Sequence, residues 1–218
     1  MKKGFLILLC VFGTLFASAQ TYSFQVWTGI EASIDLSKKL SLDVGVESRF
    51  QQHSALLKQA SAEVGARYSV TKPLFVGASY EFADKYRSQG YFPVHTFAAL
   101  VGYKKKFGDF RVAIQTKMNV SKNTYIKNEK SLLPSFVDKN KLKVAYVANK
   151  RVRPSLFVET YHPLGAGTNY SIATVKYGAN CSFGFRKQIG LDLGYMLRHE
   201  IQDNELISIV TLSLEKSF

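Results

Sequence analysis

Four histidines, His53, His95, His162 and His199, are the only imidazoles in the chain, and imidazole is the side chain best suited to carry a proton near neutral pH. A hydrolytic site would set one of them between a nucleophilic hydroxyl and an orienting acid or amide. His53 is followed directly by Ser54, and His162 stands three residues after Glu159, but neither spacing assembles that constellation. No group of His, Cys or carboxylates has metal-ligand spacing, and no glycine-rich loop is built to cradle a phosphate. Cys181 alternates with Tyr177, Ala179 and Phe183 and reads as a small apolar residue. No catalytic, cofactor-binding or metal-binding residue is assigned from spacing. The chain is read as a non-enzyme, with a lipid hydrolase as the alternative.

What would position any such residue is a series of strands. From Leu206 to the terminal Phe218, Val210, Leu212, Leu214 and Phe218 alternate with Ile209, Thr211, Ser213, Glu215 and Ser217. A period of two puts one set toward lipid and the other toward an interior. Eleven such segments follow one another, near 23–36, 40–50, 57–70, 74–86, 92–104, 109–121, 140–149, 152–162, 170–185, 188–201 and 205–218. No helical period competes with them. Pro73, Pro93, Pro134, Pro154 and Pro163 fall at turns, loops or strand starts, where no ladder donor is lost. The chain is therefore expected to be all-β, a closed antiparallel transmembrane β-barrel of about 10–12 strands. Eleven is an awkward number, because bacterial barrels usually have an even count, so one segment is expected to be missed or wrongly counted.

The N-terminus reads as a signal peptide, residues 1–19: Lys2 and Lys3, an apolar run from Phe5 to Phe16, and the exit Ala17-Ser18-Ala19. Leu9 before Cys10 does not suit a lipid-attachment signal. The barrel then occupies 20–218. Beyond the leader no apolar stretch reaches the roughly 18 residues of a spanning helix, so a bilayer could be crossed only by a closed sheet.

The chain is basic, with 29 Lys and Arg against 16 Asp and Glu and a formal charge of +13. Polar-face positions within strands hold Glu31, Asp35, Asp43, Glu47, Glu63, Glu81, Glu159, Asp192 and Glu215, against Arg49, Arg67, Lys104, Arg111, Lys117, Lys143, Arg153, Lys176 and Arg198. A near-neutral lumen follows, and a lumen charge network is expected in which Arg49, Arg67, Arg111 and Arg198 satisfy Glu47, Glu63, Glu81 and Glu159. The competing reading is a selective transport path. Trp27, on the same face, is expected to fill space near a rim. The excess bases lie at Lys38-Lys39, Lys72, Lys105-Lys106, Lys150-Arg151 and Arg186-Lys187, where solvated hairpins and attraction to anionic outer-membrane lipids are both open. The longest connection adds Lys122, Lys127, Lys130 and Lys139 against Glu129 and Asp138, a composition suited to lipopolysaccharide phosphates. Bases spread over hairpin ends exclude a nucleic-acid stripe.

Trp27, Leu36-Ser37-Lys38-Lys39-Leu40-Ser41-Leu42, Glu47-Ser48-Arg49-Phe50, Pro154-Ser155-Leu156-Phe157-Val158-Glu159 and the last strand to Phe218 together resemble a family of Bacteroidota outer-membrane barrels of unknown function, DUF2490. The resemblance implies a Gram-negative outer-membrane location and a barrel fold, and no catalytic residue. It also implies that Phe218 is the assembly signal met by the barrel-assembly machinery. Four functions remain from the sequence: a structural or narrow-pore barrel, which is preferred, a porin-like channel for small solutes, an outer-membrane hydrolase, and a soluble secreted barrel with its faces reversed.

Overall fold

The computed structural model describes residues 21–51, 56–87, 90–123, 133–149, 151–165, 171–185 and 188–218, with side chains from residue 23. The expected signal segment, His53-Ser54, Lys127, Glu129, Lys130, Lys150 and Arg186-Lys187 lie outside the described residues. Eleven strands follow in chain order: β1 (Thr21–Asp35), β2 (Leu40–Gln51), β3 (Leu56–Ser69), β4 (Leu74–Arg87), β5 (Gly90–Phe107), β6 (Phe110–Asn123), β7 (Ser135–Tyr146), β8 (Val152–Leu164), β9 (Thr174–Gly184), β10 (Ile189–Glu200) and β11 (Glu205–Ser217). Each pairs with its chain neighbours, and β1 meets β11 to close the barrel.

That last pair is parallel, with Val26 opposite Val210 and Glu31 opposite Glu215; the other ten are antiparallel. The expectation of a missed or miscounted strand is corrected by this seam. Closure requires only that every edge N–H and C=O finds a partner, and a parallel ladder supplies one as well as an antiparallel ladder does. Phe218 extends the seam: its N–H donates to the Ser33 carbonyl at 2.9 Å and its carbonyl accepts from Asp35 N–H at 3.3 Å.

The strand ends define two rims. At the C-terminal rim, beside Phe218, connections run over 36–39, 70–73, 108–109, 147–151 and 185–188; the two longest, 124–134 and 165–173, lie at the opposite rim. Short side chains shape the tight turns. The Ser37 hydroxyl accepts from the N–H of Lys39 and Leu40 at 3.2 and 3.0 Å, and Asn149 Oδ1 accepts from Arg151 N–H at 2.8 Å. Gly108 opens the two-residue β5–β6 hairpin at φ +56, a left-handed angle that glycine reaches without strain.

Alternation decides the faces. Phe97 is 62% exposed on the outer face, and Ile30, Val46, Val101, Ile114 and Leu214 are exposed beside it. A continuous apolar exterior of this kind matches a lipid solvent and is a liability in water, so the arrangement runs against the reversed-face soluble barrel. Tyr68, Phe82, Tyr103, Phe110 and Phe218 are likewise exposed, toward the strand ends where interfacial aromatics belong. Two strand starts differ from expectation by four residues or more. β9 starts at Thr174 instead of 170, and β7 starts at Ser135 instead of 140. The second has a physical cause: Asp138 and Asn140 occupy outward positions, which hides the apolar alternation. They form a polar chain, Thr116 Oγ1 to Asn140 Oδ1 at 2.7 Å and Asn140 Nδ2 to Asp138 Oδ2 at 2.8 Å.

The faces predict an asymmetry in tolerance. Leu193→Arg, on the exterior of β10, should cost about 2–4 kcal/mol, whereas Ser79→Arg, which points into the lumen, should be milder. Folded yield in detergent measures both, and equal losses would contradict the facing.

Candidate functional site

The lumen is the candidate site, and its two halves differ. Toward the C-terminal rim lies a cavity of about 510 Å³ that reaches Ser33 and Ser217 and is lined by Glu31, Asp43, Glu47, Glu63, Arg67, Glu81, Lys117 and Glu215. Gln115, Ser61 and Ser79 complete its polar wall. Toward the opposite rim, inward side chains are buried nearly all the way round: Trp27 on β1, Gln59 on β3, Ala83 on β4, Val94 and Ala98 on β5, Asn119 on β6, Thr174 and Lys176 on β9, Met196 on β10, and Ile207 and Ile209 on β11, with Phe157 of β8 at mid-strand. Trp27, Phe157, Met196, Ile207 and Ile209 form one apolar cluster, with Ile209 fully buried. The result is a water-accessible vestibule that ends against a packed floor.

Trp27 is central to that floor, so its expected place near a rim is corrected. Its 6% exposure follows from a stack of alternating cations and rings. The Arg49 guanidinium lies 3.9 Å from the indole centroid and Lys176 Nζ lies 5.0 Å from it. Lys176 is also 4.6 Å from the Tyr161 ring, over which Lys139 sits at 5.1 Å. β1 and β9 are separated in the sheet by β11 and β10, so the Trp27–Lys176 contact bridges the interior. Cations held against aromatic faces in a desolvated site gain on the order of 2 kcal/mol per contact. Lys176 Nζ also donates to Tyr161 Oη at 2.5 Å, and Trp27 Nε1 donates to Gln25 Oε1 at 2.9 Å.

The residues of the expected charge network face the lumen, but their partners are set by register and reach. Arg49 meets Glu47 at 2.6 Å, and a thinner chain continues from Arg49 to Gln59 and from Gln59 to Glu81, each at 3.4 Å. Arg67 pairs with Asp43 at 3.1 Å, and Glu63 with Lys117 at 2.9 Å. Glu159 takes Lys141 at 3.6 Å, and Arg198 takes Glu200. Arg111 has no ion pair among the described residues. The expected matching of Glu63, Glu81 and Glu159 to Arg67, Arg111 and Arg198 is thus replaced by bonds to nearer groups.

Lys139 and Lys141 are the functional residues that spacing missed. With β7 beginning at Ser135, Lys139, Lys141 and Lys143 stand at alternate inward positions, opposite Lys117, Gln115 and Ala113 of β6; Lys139 therefore does not belong to a surface loop facing lipopolysaccharide. Lys85, opposite inward Gln59, faces in as well. The signal was present as a lysine at every second residue. Counting these bases, the two signs concentrate on different walls: Asp192, Glu215, Glu31, Asp35, Asp43 and Glu47 on β10, β11, β1 and β2, and Lys104, Arg111, Lys117, Lys139, Lys141, Lys143 and Arg153 on β5 to β8, with Arg49 and Arg198 among the acids and Glu159 among the bases. The lumen is thus unevenly charged across its width.

The described histidines lie on the outer face. His95 Nδ1 is 2.7 Å from the Tyr80 hydroxyl, and His162 Nε2 is 3.0 Å from Thr160 Oγ1. Cys181 is a free thiol, as its outward apolar neighbours suggest. No group of three His, Cys, Asp or Glu among the described residues is placed to hold a metal ion.

Glu159 and Lys176 offer a test of the floor. Glu159→Gln removes the carboxylate partnering Lys141, whose side chain is 40% exposed, and should lower stability by about 1–3 kcal/mol. Lys176→Met keeps the volume but gives up two ring contacts, to Trp27 and Tyr161, and the hydrogen bond to Tyr161 Oη, so it should cost more than one such contact, which is worth about 2 kcal/mol. Unfolding in detergent with urea reads both, and an unchanged stability in Lys176→Met would contradict the arrangement.

Among solved structures, the barrel is similar to a bacterial polysaccharide outer-membrane secretin, with a TM-score of 0.53 at 10% identity over 80% of this chain and 62% of that chain. The chain thus spans less than two thirds of that protein. The β-domain of the Bordetella autotransporter Brka matches at 9% identity with a TM-score of 0.46, over 82% of this chain and 81% of that one. At such identities the first likeness concerns fold alone: a barrel of outer-membrane type. No curated protein sequence matches the chain. The model of the family described as protein of unknown function, DUF2490, matches residues 24–205, from β1 to the first residue of β11, and the chain belongs to that family.

Proposed function

We propose that this protein is an integral barrel of a Gram-negative outer membrane, exported by the signal peptide at 1–19, with a structural or narrow-pore role and a lumen closed to free solute flow at rest. The observation that carries the reading is the floor: all eleven strands direct at least one side chain into the packed half or into the stack that crosses it, and little solvent reaches most of those residues. The apolar exterior supports membrane placement. The C-terminal rim, with its short turns, would face the periplasm and the longest connections the exterior, as in bacterial barrels generally.

A porin-like role would require the vestibule to continue through the floor, past Trp27, Lys176 and Tyr161. Their ring-and-cation stack is held by hydrogen bonds as well as by packing, which favours closure. The proposal assigns no catalysis. Outer-membrane lipids, lipopolysaccharide and the barrel-assembly machinery remain proposed partners of the exterior and of Phe218.

Conductance distinguishes the two roles. In a planar bilayer the unmodified protein should give small or no steps. Trp27→Ala should introduce openings, with selectivity set by the charges left at the narrowest point. Large, steady steps from the unmodified protein would overturn the occluded reading and favour the porin.

A further inference from the structure

We infer that the C-terminal rim carries a binding surface for anionic glycerophospholipid head groups, centred on Lys72, Lys104, Lys105, Lys106 and Arg111. These five bases lie on two adjoining hairpins, β3–β4 and β5–β6, which are tied by Lys104 N–H donating to the Pro73 carbonyl at 2.7 Å. Lys106 and Arg111 are directly opposite each other in the ladder. All five are exposed, and Asp109, in the β5–β6 turn, is the carboxylate that the two hairpins contribute.

Lys104, Lys106 and Arg111 turn toward the mouth of the lumen and Lys105 toward the outer face, and none of the five takes part in an ion pair among the described residues. Like charges held close on two rigid hairpins repel, and only an external anion relieves that. The depth is right for a phosphodiester. Phe107 and Phe110 are exposed on the outer surface of the same hairpin, where interfacial aromatics anchor a barrel, and Lys105 Nζ lies 5.2 Å from the Phe107 ring centroid. An ammonium above an interfacial ring sits at head-group level, with acyl chains below. The short-turn rim would face the periplasmic leaflet, where glycerophospholipid is the anion source; that assignment rests on the membrane placement proposed above.

The test is lipid retention. The full chain is inserted into vesicles of phosphatidylcholine alone, of phosphatidylcholine with phosphatidylglycerol, and of phosphatidylcholine with lipopolysaccharide. Each preparation is extracted gently, and retained lipid is read by native mass spectrometry. Phosphatidylglycerol should be retained over phosphatidylcholine by roughly tenfold, released as salt is raised, and lost in the triple variant Lys105→Gln, Lys106→Gln, Arg111→Gln. The salt series needs no variant, and the gel shift of the folded barrel on heating checks that the triple variant has folded. Equal retention of the two phospholipids, an unchanged preference in a folded variant, or retention of lipopolysaccharide alone would overturn the inference. Failure of the chain to insert into any vesicle would instead count against the membrane reading.

Discussion

On the membrane placement proposed above, everything in this molecule depends on the pairing of backbone groups in a solvent that offers none. In hydrocarbon each unpaired N–H or C=O costs several kcal/mol, so eleven short strands are viable only as a ring. The parallel β1–β11 ladder supplies the closing pair, and the bonds of Phe218 to β1 carry it to the last residue. The stability of the wall therefore does not need a large apolar core. Among the described residues the largest fully buried side chains are only Ile209 and Ser208, and most of the large apolar side chains point outward, where lipid would replace water. The interior is left free to be polar.

A polar interior has its own constraint, because charges removed from water must find partners. In the vestibule, where water reaches, Glu31 and Glu215 stand opposite each other across the seam. In the packed half that would be too costly. There the cations Arg49, Lys176 and Lys139 are interleaved with Trp27 and Tyr161; Glu47 meets Arg49 at short range, and Glu159 pairs with Lys141. Gly102 shows the same economy of space near the rim: a Cβ there would collide with the Phe75 ring, and Arg67 stacks on that ring at 5.5 Å. The uneven charge of the walls also lets Lys117 reach from β6 to Glu63 on β3, an ion pair that no neighbouring-strand rule would find.

Strands with one apolar face were legible from the residues alone. Alternation in β2, from Leu40 to Phe50, or in β11 is strong enough to place both ends within a residue or two. β7 was not, because Asp138 and Asn140 face outward and erase the pattern; the lysines at 139, 141 and 143 carried it on the other face. Closure and eleven segments were legible, but the parallel seam that reconciles them was not, since parity is a statistical habit of barrels and the seam is a property of the ring. Ion-pair membership followed from the polar face, while partner choice depended on register and side-chain reach. Trp27 looked like a filler at a rim because Lys176 comes from a distant part of the chain and Arg49, its cross-strand partner, is placed over it only by the β1–β2 register.

Disulfide trapping at the seam tests the account most directly. Directly paired residues in neighbouring strands lie about 4.8 Å apart, within the span a disulfide bridges. With the native cysteines replaced by alanine, Val26→Cys with Val210→Cys should cross-link within one chain on mild oxidation, because these residues are partners in the β1–β11 ladder. Val26→Cys with Leu214→Cys, four positions out of register, should not. A seam that fails to cross-link in register, or links equally well out of register, would contradict an eleven-stranded barrel closed by a parallel pair.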